Sequence, residues 1–189
     1  SMLINLLSSK QAYRRAFHAV HVVMPPHSVA SLKNNIFRRH DKMHAELDWP
    51  TLDGVREAVR ASAEKGKSSL LVLDDVTAAL KDADIQRALR DLIYNRRHYR
   101  LSILLLVQSY NAAPLSLRKT LSHFLLFKPR NKKESTAIFE ELVAMERTEA
   151  EALMRYVFDR PYNFLFADTG TGEVYKNFDR IAIQESDSR

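Results

Sequence analysis

The stretch Leu70-Leu71-Val72-Leu73-Asp74-Asp75-Val76 runs four apolar residues without a polar break and ends them on two adjacent carboxylates. A short apolar run bounded by polar residues reads as a buried strand. Buried on both faces, it reads as the middle of a parallel sheet. Ligands of open α/β sheets collect at the carboxyl ends of their strands. Asp74 and Asp75 therefore stand where one acid can hold a metal and the other can polarise a water, the shape of a Walker B motif. A strand running into an acidic turn is the alternative reading, and this stretch alone leaves both open.

Working outward, Phe17 to Met24 reads as a strand stopped by Pro25 and Pro26. Residues 101–107 (LSILLLV) and 121–127 (LSHFLLF) are two further buried strands. Helices are expected over the opening residues, over 29–44 with Ser28 as cap, from Thr51 to Glu64, over Asp84 to Arg97, and over 132–145 and 148–158. The segments NFLFAD, TGTG and EVYKNF close the chain as a β-hairpin. Strands alternating with helices predict an α/β fold with a mostly parallel sheet. One domain over 1–183 with a polar tail over 184–189 accounts for the pattern.

Gln108 ends the strand that comes after the acidic one, one helix later. A neutral amide beside an acid pair can orient water against a γ-phosphate without adding charge. The alternative is a side chain that ties down a loop.

The composition bounds the function. Of 189 residues, 46% are hydrophobic and 28% charged, which suits a globular chain with a real core. No apolar run approaches the ~20 residues a membrane span needs, and a cytoplasmic protein is expected. The absence of cysteine excludes disulfides and thiolate zinc sites. Lys and Arg exceed Asp and Glu, giving a net charge of +6, compatible with a polyanionic partner. Two tempting motifs fail. Gly66-Lys67-Ser68-Ser69 is not a phosphate loop, because position 61 is Ala and a strand comes next in place of a helix. His40 and His44 have zinc-helix spacing but lack the glutamate of HExxH.

In order along the chain, LLVLDD (70–75), the basic NRRHYR (95–100), LSILLLVQSYNAAPLSLRK (101–119) and HFLLFKPRNKKE (123–134) resemble the genome-packaging ATPases of poxviruses and other large DNA viruses. Those enzymes belong to the FtsK–HerA division of P-loop NTPases. The resemblance covers roughly residues 1–145. It implies ATP hydrolysis with Mg²⁺ coupled to translocation of double-stranded DNA, by a homo-oligomeric ring that could meet capsid or portal components, in a viral factory or virion. It implies that Asp74 holds Mg²⁺, that Asp75 orients water, that Gln108 senses the γ-phosphate, and that Arg118 stabilises transition-state charge. It further implies an ASCE/RecA-like sheet in which 18–24, 69–74 and 102–107 are neighbours in that order. The first strand of that sheet would lie between 102–107 and a parallel 121–127.

One departure stands out: none of the four glycines makes a G-x-x-x-x-G-K loop. The opening Ser1-Met2-Leu3-Ile4 resembles the hydroxyl residue and apolar helix that succeed the Gly-Lys of such a loop. Ser1 is therefore expected to be the last residue of a lost phosphate loop, in a fragment lacking the first strand. On that expectation the 189 residues alone hydrolyse little ATP. A bacterial conjugation-type motor and a non-enzymatic nucleic-acid-binding α/β module remain alternatives.

Overall fold

The computed structural model describes residues 2–10, 12–33, 36–37, 40–143 and 145–182. They form two compact units, Ser1–Ser116 and Leu117–Arg189.

The first unit is a parallel sheet with helices. β1 (Ala19–Val23), β2 (Met43–His44), β3 (Ser69–Asp74) and β4 (Leu101–Leu106) lie in the order β2-β1-β3-β4, and every pair is parallel. The register sets Val22 beside Val72, and Asp74 beside Leu106. Leu70, Leu71, Val72 and Leu73 are each at most 1% exposed, as a strand covered on both faces requires. The expected order of 18–24, 69–74 and 102–107 is the observed one. Around the sheet lie α1 (Met2–Ser8), α2 (Pro26–Ser31), α3 (Trp49–Glu64) and α4 (Ala83–Tyr94). The Asp48 carboxylate accepts from the Thr51 N–H and starts α3, and Asp82 does the same for α4 through the N–H groups of Asp84 and Ile85. Val55 and Val59 of α3, and Leu89 and Leu92 of α4, are buried at helical spacing.

The helix expected over 29–44 does not form. α2 ends at Ser31, Leu32 is extended, and Met43–His44 is a short strand on the open edge of β1. Val22 N–H donates to Lys42 O and Met24 N–H to His44 O. The sheet edge offers this segment backbone partners that a helix would have denied to β1. The helical spacing of His40 and His44 has no meaning in this geometry.

The second unit is antiparallel. After α5 (Leu115–Arg118), at which the two units meet in sequence, β5 (His123–Phe127) pairs with β6 (Phe164–Asp168), β6 with β7 (Val174–Lys176), and β7 with β8 (Asp179–Arg180). The predicted hairpin is β6–β7. The strand expected over 121–127 forms over His123–Phe127, and its hydrogen-bonded partner is the antiparallel β6. Among the described residues β4 has no partner on its outer side, and Ile103 to Leu106 are only half-buried there. α6 (Lys132–Ile138), a wider π-type turn over Phe139–Val143, and α7 (Arg147–Val157) supply Phe139, Ala150, Leu153 and Val157 to a core with Leu165, Ala167 and Val174.

Candidate functional site

Because β1, β3 and β4 are parallel and in register, the segments that leave their last residues share one edge. Val23 pairs with Leu73 and Asp74 with Leu106, so α2, the Asp74–Asp75 pair and Gln108 all leave the sheet at its carboxyl edge. The edge is the place where open α/β sheets bind ligands.

Asp74 is the last residue of β3 and half-buried. Burial pushes its carboxyl up, and the charge of Asp75 pushes the same way. Asp75 turns the chain with φ of +57°, in the left-handed region. That conformation costs a residue with a side chain about 1 kcal/mol, least for Asn and Asp. The turn is fixed from outside. Ser28 Oγ donates to Asp75 Oδ2 at 2.5 Å, and His27 Nε2 lies 3.2 Å from the same oxygen. Both residues are on α2, nearly fifty positions earlier in the chain. The Ser28 hydroxyl, and after it the bond and charge of His27, hold the Asp75 carboxyl below the usual carboxylate range. His27 is 78% exposed, so its ion pair adds little and Ser28 is the main tether. The two acids thus differ: one resists ionisation by itself, the other is ionised and aimed.

The remaining expected residues are distributed differently. Gln108 is exposed at the same edge, two residues past β4. Arg118 lies in the second unit, where its Nη1 is 3.2 Å from Glu141 Oε2. Ser1 lies outside the described residues. Sequence reasoning gives His27 and Ser28 no chemical role. The only trace of one is that an imidazole and a hydroxyl come directly after a strand stopped by two prolines.

The donor set at this edge suits one kind of metal. Mg²⁺ takes one or two carboxylates and completes its shell with waters and substrate phosphates. Asp74, with a charge that burial and Asp75 disfavour, is a carboxylate that such a cation would relieve. Among the described residues no group of three or more His, Cys, Asp or Glu is placed to hold a metal alone. No helix there is long and apolar enough to cross a membrane.

The fold is that of the P-loop-NTPase-like packaging ATPases of viruses. B204, the DNA-packaging ATPase from Sulfolobus Turreted Icosahedral Virus, superposes with a TM-score of 0.64 at 14% identity over 96% of this chain and 88% of its own. The genome packaging NTPase B204 from Sulfolobus turreted icosahedral virus 2 in complex with AMPPCP gives 0.63 at 15%, over 88% and 84%. The same NTPase in complex with ATP-gammaS gives 0.55 at 17%, over 72% of this chain, which spans only 63% of that one. At these identities the likeness is one of fold. No curated protein matches the chain. The chain belongs to the Poxvirus A32 protein family, whose model matches residues 26–154 and so takes in His27, Ser28, Asp74, Asp75, Gln108 and Arg118.

Proposed function

We propose that this chain is the ATPase core of a viral genome-packaging motor, which moves double-stranded DNA at the expense of ATP. One observation carries the reading. In a chain of the A32 family, an all-parallel sheet delivers a half-buried acid, an externally tethered acid and an amide to a single edge. Asp74 takes the place of the Mg²⁺ ligand, Asp75 of the water-orienting base, and Gln108 of the γ-phosphate sensor. Mg²⁺, bound with ATP, would supply neutralisation of phosphate charge. Asp75, kept ionised by Ser28 and His27, presents its other oxygen as an acceptor for water. Gln108 can donate and accept at the same edge. Arg118 becomes available to a phosphate on release from Glu141.

The 189 residues contain no G-x-x-x-x-G-K loop, the backbone cradle that such chemistry uses. Hydrolysis is therefore proposed for a protein that carries that loop as well, with a further strand beside β4, as a homo-oligomeric ring on duplex DNA at a viral capsid or portal. The net charge of +6 is compatible with a second reading, a non-enzymatic nucleic-acid-binding module with a structural acid pair. The two separate on ATP turnover with Mg²⁺ by the loop-bearing protein, with and without duplex DNA. DNA-stimulated hydrolysis supports the motor. DNA binding without turnover selects the module.

A further inference from the structure

We propose that the second unit carries a docking groove for an acidic peptide segment of a partner protein, anchored by an apolar side chain. The groove opens between α6, the wide turn over Phe139–Val143 and α7, with a volume of about 620 Å³. That size takes a few side chains and not a folded surface. Its floor is apolar: Phe139 and Phe158 are buried, and Met145 and Met154 are partly open over the core beneath them. Methionine adapts to irregular ligands, and π-type turns cluster at functional sites.

The rim has the opposite character. Lys128, Arg130, Lys132 and Arg155 border the cavity, and among the described residues none of them has an ion-pair partner. Of the bordering acids, Glu151 is taken by Arg147 at 3.2 Å and only Glu140 stands against the four cations. Arginine forks match carboxylates, and a desolvated apolar floor strengthens such pairs at its edge. Duplex DNA would satisfy the rim but leave the floor empty, since a phosphate backbone offers no apolar anchor. A segment with carboxylates flanking a Phe, Leu or Ile uses both. The groove lies wholly within one unit, and the inference is independent of the ATPase reading.

The test is selection of a random 12-residue peptide display library on the 189-residue chain, and then fluorescence polarisation of the enriched peptides. Enriched peptides are expected to carry net negative charge and at least one large apolar residue. Their affinity should fall about tenfold in Lys128→Glu/Arg155→Glu and in Met154→Glu. Arg130→Ser serves as a milder rim variant should either fail to melt like wild type. Absence of enrichment, peptides without acids, or affinity unchanged in floor and rim variants would overturn the proposal. Displacement of the peptides by a short DNA duplex at equal phosphate and carboxylate concentration would overturn it too, assigning the rim to nucleic acid.

Discussion

Ser28 Oγ donates a hydrogen bond of 2.5 Å to Oδ2 of Asp75, joining the helix after β1 to the turn after β3. This bond spans adjacent parallel strands at their shared edge. It both lowers the carboxyl's proton affinity and fixes a turn in left-handed backbone. Ser28→Ala should raise the Asp75 pKa toward the ordinary 3.8, read by NMR titration of the carboxyl carbon. His27→Ala should raise it less. Because the folded value is the depressed one, this contribution to stability is present above the unfolded pKa and is lost as pH falls through the folded value. An Asp75 titration unmoved in Ser28→Ala would remove the tether.

His21 makes a second acid-sensitive point. It sits in β1, 4% exposed, with neither ring nitrogen hydrogen-bonded among the described residues, and stacked at 6.3 Å on His44. Burial, and then the charge of Lys42 and the neighbouring histidines, lowers its pKa to about 4. The folded state therefore binds its proton later than the unfolded chain. Stability should fall by about 3 kcal/mol as pH drops from 6.5 to 4. His21→Leu should flatten that slope and stabilise the unit at neutral pH by about 1–2 kcal/mol, since two unpaired polar atoms disappear. Urea unfolding monitored by the fluorescence of Trp49, the one tryptophan, reads both.

The Asp48 cap is a third target. Its side chain accepts from the Thr51 N–H at 2.9 Å, and the Thr51 hydroxyl and N–H hold its carboxyl low. Asp48→Ala should cost about 1 kcal/mol. Asp48→Asn, which keeps an acceptor, should cost less while losing the pH dependence: in wild type the cap weakens as pH falls through the depressed carboxyl value. Equal urea midpoints for wild type and Asp48→Ala would show that α3 gains nothing from its cap.

Much of the first unit was legible in sequence because its signals are local or arise from topology. The unbroken Leu70–Leu73 run reads as an interior strand, and acids that end a strand of a parallel sheet emerge at its carboxyl edge. What failed were features decided by non-local partners. Val29, Leu32 and Phe37 have helical spacing, yet the free edge of β1 draws Met43–His44 into the sheet. LSHFLLF reads correctly as a strand, but apolarity alone does not name Phe164 to Asp168 as its antiparallel partner. The Ser28–Asp75 bond joins residues nearly fifty apart and leaves no periodic trace. That Gln108 and Asp74 leave adjacent parallel strands at one edge follows from topology, whereas the engagement of Arg118 with Glu141 depends on how α6 runs into its wide turn.

On the proposed function, Asp74 and Asp75 divide labour between metal and water. An interaction made mainly in the transition state lowers kcat and spares affinity. The direct measurement is Mg²⁺-dependent ATP turnover beside nucleotide affinity, in the loop-bearing protein, for wild type, Asp75→Asn and Asp74→Asn. Asp75→Asn should lose nearly all turnover with binding almost unchanged, and Asp74→Asn should bind Mg²⁺-ATP more weakly. Equal turnover in wild type and Asp75→Asn would contradict it and make the acid pair structural.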